Sequence, residues 1–145
     1  MAEVLHLFVA RAHRLPMREV EAVRAIENRG LEGCAHARPG GLRQVLLMDE
    51  ETLQQLEISP GAVKENITTR GLAVQALQPG QRLRIGEALL EVTGPCHPCA
   101  RMNEIRLGLE EQLRGRRGML CRVVEGGRIA RGDRIELLEY ARVAK

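Results

Sequence analysis

Aromatic side chains are nearly absent from this chain. Its 145 residues include one Phe, one Tyr and no Trp, so the core must be built from Leu, Val and Ile. Proteins that bind nucleic acid stack bases on aromatic rings and carry strongly basic surfaces. Here 22 basic residues are scattered among 19 acidic ones, and the net charge is only +3. No nucleic-acid partner is therefore expected.

Long hydrophobic runs are also missing. No apolar stretch approaches the roughly 18 residues that cross a bilayer, and residues 1–6 lack the basic start and apolar stretch of a signal peptide. The sequence predicts a cytoplasmic protein without a membrane partner, folded as a single domain over residues 1–145. In that reducing compartment the four cysteines are expected to be metal ligands, catalytic thiols or small core residues rather than disulfides.

Short strands separated by turn residues dominate the pattern. Two-residue turns at Gly86-Glu87 and Gly126-Gly127 predict hairpins. Helices are predicted from the N-cap Asp49 to Leu56 and over residues 102–113, whereas residues 19–28 fit either a helix or a strand and residues 30–41 a long loop. The fold class is mainly β: a closed or nearly closed barrel of short, mostly antiparallel strands with two or three short helices. The predicted strands are residues 4–10, 43–48, 82–85, 88–93, 119–125, 128–130 and 134–140.

The residues richest in chemistry are Cys96-His97-Pro98-Cys99, here called the CHPC loop. This loop falls between a predicted strand and the predicted helix 102–113, and the positive end of a helix favours thiolate over thiol. Cys99 is therefore a candidate nucleophile, persulfide carrier or ligand of a soft metal such as molybdenum. Arg101 and His97 are accessory candidates that would stabilise the thiolate or a bound anion.

Other interpretations of the cysteines stay open. A thioredoxin-like oxidoreductase would need a helix-bearing parallel sheet around the CxxC, and the predicted hairpins do not offer one. Cys34 and His36 would complete a tetrahedral Cys₃His zinc site with Cys96 and Cys99, giving a zinc-stabilised binding module. Free Cys also suits a core position, which is the preferred interpretation of Cys121.

Residues 65–69 form a second concentration of polar side chains. A carboxylate, an amide and two hydroxyls would either bind a polar ligand or cap and turn the chain locally. Taken alone, the segment favours the local turn. The polar residues are Glu65, Asn66, Thr68 and Thr69.

Taken in order, these motifs resemble the MOSC domain, the module at the carboxyl end of molybdenum-cofactor sulfurases that is also found as stand-alone bacterial proteins. The resemblance extends from about Val4 to Leu138. The matching stretches are residues 30–33 with His36, 43–47, 65–72, 80–86 with 88–90, 95–102 and 132–133.

The resemblance implies a barrel-like fold and a role in handling sulfur or the molybdenum cofactor. The family's essential cysteine corresponds to Cys99, which would carry sulfur as a persulfide or coordinate molybdenum, while Cys96 is an extra thiol. Some relatives reduce N-hydroxylated compounds, so a molybdenum-dependent reductase is a further implied activity. The implied partners are a cysteine desulfurase, a pyridoxal-phosphate enzyme, or another sulfur donor in trans, and the molybdenum cofactor or a molybdoenzyme. The candidate cofactor-binding residues are Arg38, Arg43, Glu65, Asn66, Thr68 and Thr69.

One departure from the family pattern concerns Cys34. The family usually has Asp after the Gly-Leu-Glu-Gly turn, and a thiol accepts hydrogen bonds poorly compared with a carboxylate. Either the role of the acid is lost, or Cys34 is a third sulfur near the CHPC loop.

Overall fold

The computed structural model describes residues 1–140, so the last five residues of the predicted domain lie outside the described part. Within it, two α-helices, α1 (Glu50–Gln55) and α2 (Leu109–Gln112), and two 3₁₀ turns, Val74–Ala76 and Ala100–Glu104, accompany the strands. The strands are β1 (Glu3–Val9), β2 (Arg18–Val20), β3 (Ala22–Ile26), β4 (Gly30–Leu31), β5 (Val45–Asp49), β6 (Ile67–Arg70), β7 (Gln81–Ile85), β8 (Ala88–Pro95), β9 (Met119–Glu125), β10 (Gly127–Ala130) and β11 (Ile135–Tyr140).

The described strands form two sheets, which confirms the mainly β prediction. The eight-stranded sheet has the order β11-β7-β8-β9-β5-β6-β1-β2, and the other has the order β10-β3-β4. The pair β5–β6 is parallel, whereas the other pairs are antiparallel. The larger sheet does not close into the predicted barrel. β2 pairs with residues 7–9 of β1, while the start of β1 is linked towards β11 by an isolated bridge between Glu3 and Arg134 and by backbone hydrogen bonds such as that from Ile135 N to the Ala2 carbonyl at 2.9 Å.

The core is aliphatic, as the shortage of aromatic residues requires, and β5 divides it. All five residues of β5 are buried. Leu47 packs into the main core between the strands, while Met48 packs on the opposite face against Leu53 of α1 and Leu109 of α2. Successive side chains of a strand point to opposite faces, so this alternation places helices on one face and the barrel-like interior on the other.

Two expectations about strand pairing are settled by contacts distant in sequence. The prediction of a hairpin at Gly126-Gly127 is wrong, because β10 pairs with β3 rather than with β9. The reason is close packing: a Cβ on Gly127 would lie 2.7 Å from the backbone of Glu87, so the glycine lets the chain pass the β7–β8 turn. Residues 19–28, which fit a helix or a strand, form the end of β2, all of β3 and the start of the turn that follows β3.

The helix predicted over residues 102–113 is broken. Gly108 has a φ of +87°, outside the helical region, and separates a five-residue 3₁₀ turn from the four residues of α2. The segment after Cys99 therefore does not present the end of a long helix dipole. By contrast, the N-cap prediction is confirmed, since Asp49 Oδ2 accepts a hydrogen bond from Thr52 N at 3.0 Å. The β7–β8 hairpin is also confirmed, with Ile85 opposite Ala88.

Candidate functional site

A cavity of about 350 Å³ opens where the loop after β4, the stretch before β6 and the CHPC loop with the residues that lead into β9 meet, and residues of β5 and of the β1–β2 connection complete its lining. This volume is typical of small-molecule sites. Six of its lining residues carry cationic or imidazole side chains, and no Asp or Glu is among the lining residues that the structure describes. A wall of one charge sign attracts a ligand of the opposite sign. The basic lining residues are His13, His36, Arg38, Arg43, Lys64 and Arg117.

The loop after β4 is held in place by Gln44, which is fully buried. Its Nε2 donates to the Arg38 carbonyl at 3.2 Å, and its Oε1 accepts from Val123 N at 2.9 Å. Arg38 N also donates to the Arg29 carbonyl at 2.8 Å. These bonds tie the loop to β9 and to the turn before β4, so the cavity wall is fixed by the fold.

Arg117 is the most informative residue of the wall. It is only 7% exposed, and its Nη1 is buried without a hydrogen-bond partner among the described residues. Burying an unpaired charge costs free energy. Arg117 lines the cavity, and a guanidinium is suited to a phosphate or another oxyanion.

Asn66 joins the cavity to the sheet. Its Oδ1 accepts from Leu46 N at 3.0 Å, while its Nδ2 donates to the Phe8 carbonyl at 3.2 Å and to Cys34 Sγ at 3.3 Å. It is fully buried and connects residues of β5, β1 and the loop after β4. The local-turn interpretation holds for Glu65, which bonds Gly61 N and Thr68 Oγ1 nearby in the chain, whereas the Asn66 amide bonds to distant segments and residues 67–70 form β6.

Glu65 lies behind the cavity and is not one of its lining residues. Its Oε2 accepts hydrogen bonds from Gly61 N and Thr68 Oγ1, both at 2.8 Å. Burial raises the pKa of Glu65, and these bonds together with the nearby Arg117 charge offset that rise only in part. Thr68 and Thr69 are fully buried in β6 and do not reach the cavity either.

Cys34 and His36 form a polar pair at the edge of the cavity. His36 lines it, whereas Cys34 is only 7% exposed and lies behind Ala35 and His36. Burial by itself raises the Cys34 pKa, but hydrogen bonds from His36 and Ala10 N outweigh burial and lower it to about 7. The Cys34 hydrogen bond in turn raises the pKa of His36.

The two cysteines of the CHPC loop are placed differently. Cys96 is buried, lines the cavity and packs against Leu46 and Leu120. Its backbone N donates to the Gly118 carbonyl at 2.9 Å. Cys99 is exposed and does not line the cavity, as is also true of His97 and Arg101. Cys121 is fully buried in β9, as its alternating pattern predicts, and burial raises its pKa.

The structure thus gathers five of the predicted site residues at one cavity: His36, Arg38, Arg43, Asn66 and Cys96. His13, Lys64 and Arg117 were missed by the sequence reasoning, because charged residues beside other polar residues look like solvated surface. The zinc alternative finds no support, since no group of three or more potential metal ligands is assembled among residues 1–140.

The sequence model of the MOSC domain matches residues 42–136. The chain belongs to the MOSC domain family. This match begins after Cys34 and His36, so it includes the CHPC loop and Arg117 but not the loop after β4. The MOSC domain is associated with the molybdenum cofactor and with sulfurase-type proteins. None of the helices described for residues 1–140 has the length and apolar character needed to cross a membrane.

Two curated proteins share part of this MOSC domain. YflK of Bacillus subtilis is 34% identical over 86 residues, which are 56% of this chain and 38% of YflK. A Gibberella moniliformis protein named "Reductase" is 37% identical over 84 residues, or 54% of this chain and 15% of that protein. The aligned region is therefore well under half of either relative.

Solved structures show the same fold. YuaD from Bacillus subtilis superposes with a TM-score of 0.82 at 19% identity, covering 97% of each chain. YiiM from Geobacillus stearothermophilus gives 0.80 at 21% identity, covering 96% of this chain and 76% of its own. YiiM from Escherichia coli gives 0.67 at 23% identity, with 97% and 71% covered.

Proposed function

We propose that residues 1–145 are a single MOSC domain that binds the molybdenum cofactor by its phosphate in the basic cavity and uses Cys99 as its sulfur-handling thiol. The observation that carries the proposal is the cavity itself, with six basic or imidazole side chains and a buried Arg117 whose Nη1 has no partner among the described residues. A phosphate in this cavity would offer acceptor oxygens to the basic side chains that line it. When bound, the cofactor supplies a metal that takes a sulfur ligand and changes oxidation state.

The donor set fits the phosphate end of such a cofactor. Arg38, Arg43 and Arg117 offer planar forks of N–H donors, which match the oxygens of a phosphate better than an ammonium does. Cys96 lines the same cavity, and Cys99 follows it by three residues in an exposed position. A thiolate at either position is a suitable ligand for a soft metal.

Exposure makes Cys99 the better sulfur carrier. A thiolate at Cys99 attacks the outer sulfur of a persulfide on a donor, such as a cysteine desulfurase. The donor's S–S bond breaks, the donor thiol leaves, and Cys99 holds the persulfide with no net oxidation. The buried Cys96 is less accessible to a protein donor, so its expected role is within the cavity.

Mass spectrometry of the native protein after incubation with a cysteine desulfurase and cysteine tests this assignment. We expect an adduct of about 32 Da, one sulfur, on Cys99. The adduct should disappear in Cys99→Ala and persist in Cys96→Ala. An adduct on Cys96 in the wild-type protein, or none on either cysteine, would overturn the role given to Cys99.

A second candidate function is a molybdenum-dependent reductase of N-hydroxylated compounds. The aligned "Reductase" favours it, although the alignment covers only 15% of that protein. Turnover separates the two functions. Reduction of an N-hydroxylated amidine by the cofactor-loaded protein with an electron donor would favour the reductase, and its absence, with persulfide formed on Cys99, would favour carriage.

A further inference from the structure

Arg117 lies in a bend of the chain between α2 and β9, outside helix and strand. It lines the basic cavity. Gly118 follows it with a φ of +103°, and the Gly118 carbonyl accepts a hydrogen bond from Cys96 N at 2.9 Å. Cys96 lines the same cavity. The placement of this bend therefore decides where two of the lining residues lie.

The side-chain amide of Gln75 bonds to the chain on both sides of Arg117. Its Nε2 donates to the Arg116 carbonyl at 3.3 Å, and its Oε1 accepts from Gly118 N at 3.3 Å. The Arg116 carbonyl belongs to the planar peptide that precedes the Arg117 Cα, and Gly118 N belongs to the peptide that follows it. The two hydrogen bonds together therefore restrain both backbone dihedral angles of Arg117.

Gln75 is itself anchored to the end of β5. Its Nε2 also donates to Asp49 Oδ1 at 3.1 Å, while the other oxygen of that carboxylate, Oδ2, accepts from Thr52 N at 3.0 Å as the N-cap of α1. Gln75 lies in the 3₁₀ turn Val74–Ala76, in which Val74 is fully buried. A chain of hydrogen bonds thus connects the start of α1, through Gln75, to the bend that carries Arg117.

The partners of Gln75 require an amide. Two oxygen acceptors, from Asp49 and Arg116, face its nitrogen, and one backbone N–H faces its oxygen. The opposite orientation of the amide would bring its oxygen against those two oxygens, so the partners fix the orientation. A carboxylate lacks the donors and an ammonium lacks the acceptor.

We propose that Gln75 is a positioning residue: its amide holds the two peptides that flank Arg117 and thereby keeps the Arg117 guanidinium where the cavity binds an oxyanion. The inference rests on the anion cavity of the proposed function. Gln75 is not among the described residues that line the cavity, so it acts through Arg117 and does not touch the ligand. Its removal should cost affinity only while the guanidinium is present.

A double-mutant cycle on the binding of inorganic phosphate, measured by NMR titration, tests the inference. Gln75→Met keeps the length of the side chain and removes its amide, and we expect affinity to fall about threefold to tenfold. In an Arg117→Met background the same change should alter affinity by less than about twofold, because the positioned group is gone. Gln78→Met, which changes an exposed glutamine three residues further on, is the matched control and should leave affinity unchanged.

A loss of the same size in both backgrounds would overturn the inference, and so would wild-type affinity in Gln75→Met. Gln75→Asn, whose amide is one methylene too short to keep its partners together, is expected to show the same pattern and replaces Gln75→Met if that variant does not fold.

The NMR signal of Arg117 Nε–H, assigned with Arg117→Met, separates this inference from the proposed function. If the wild-type protein binds no phosphate, the proposed function fails. A signal that shifts in Gln75→Met but not in Gln78→Met still supports the positioning of Arg117 by Gln75. An identical signal in the wild-type protein and in both variants refutes it.

Discussion

At the scale of single residues, the cavity combines side chains with opposite effects on stability. Arg117 is buried with an unpaired Nη1 among the described residues, a costly arrangement unless a ligand completes it. By contrast, both the oxygen and the nitrogen of the Asn66 side-chain amide form hydrogen bonds with distant chain segments. The environment of Arg117 is expected of a ligand-binding residue, whereas the hydrogen bonds of Asn66 are expected of a residue that stabilises the fold.

Arg117→Met should therefore separate binding from stability. Removing the guanidinium should weaken phosphate affinity by about 1–3 kcal/mol, because a charge-assisted donor is lost. The free energy of unfolding without ligand should stay equal or rise, since a buried guanidinium with an unbonded Nη1 is replaced by an apolar chain and Glu65, whose pKa burial already raises, can then stay protonated. Calorimetric titration and urea unfolding measure the two quantities. A large loss of stability would instead make Arg117 a structural residue.

Asn66→Ala should act in the opposite way. It leaves Leu46 N and the Phe8 carbonyl without their partner, and we expect a loss of about 2–4 kcal/mol in unfolding free energy. The matched control is Thr69→Val in the adjacent strand β6, whose hydroxyl is buried without a partner among the described residues. That change should be neutral or stabilising in the same urea titration. Equal losses of unfolding free energy in Asn66→Ala and Thr69→Val would show that the Asn66 hydrogen bonds do not stabilise the fold.

At the scale of elements, sequence predicts correctly those helices and hairpins that residues close together in the chain determine. The β7–β8 hairpin follows from its two-residue turn, and α1 follows from Asp49 at its N-cap. The pairing of β10 with β3 joins residues about a hundred positions apart, so no turn signal announces it. The predicted helix 102–113 fails at Gly108, where a positive φ ends the helical geometry despite the apolar spacing.

Gly118 lies between Arg117, which lines the cavity, and Met119, the first residue of β9. It has a φ of +103°, and a Cβ there would collide with the carbonyl oxygen of Leu47 in β5. Gly118→Ala should therefore cost more than about 3 kcal/mol in unfolding free energy, because backbone cannot move aside cheaply. Gly115→Ala is the control: its φ is +73° but no atom lies near the added Cβ, so about 1 kcal/mol is expected. Equal losses of unfolding free energy in Gly118→Ala and Gly115→Ala, measured by urea unfolding, would contradict the clash with Leu47.

At the scale of the whole molecule, the sequence predicts the class of fold and five of the residues that line the cavity. His36, Arg38, Arg43, Asn66 and Cys96 belong to polar clusters and family motifs, so they stand out. Arg117 and Lys64 do not, because a charged residue looks the same in sequence whether it is solvated or buried. Whether the sheet closes is equally hidden, since it depends on how residues 2–4 meet residues 132–135 from the other end of the described chain.

Glu65 makes the stability of the molecule depend on pH. Its folded pKa is raised above the ordinary value of 4.5, so its contribution is fully present below that value and is lost as pH rises through the folded pKa. Relative to the wild-type protein, Glu65→Gln should gain stability over that window and level off above it. Urea unfolding of both proteins across the window measures the difference. If the stability of Glu65→Gln relative to the wild-type protein fell with rising pH, the folded pKa of Glu65 would be lowered rather than raised.

The most direct test of the proposed function is loading with the molybdenum cofactor. The apo protein is incubated with excess cofactor and separated from it, and the bound pterin is oxidised and measured by fluorescence, with molybdenum measured by mass spectrometry. We predict about one pterin and one molybdenum per chain, with a drop of about tenfold in Arg117→Met and retention in Cys121→Ala. No cofactor bound by the wild-type protein, or equal loading of wild type and Arg117→Met, would contradict the assignment of the basic cavity as its phosphate site.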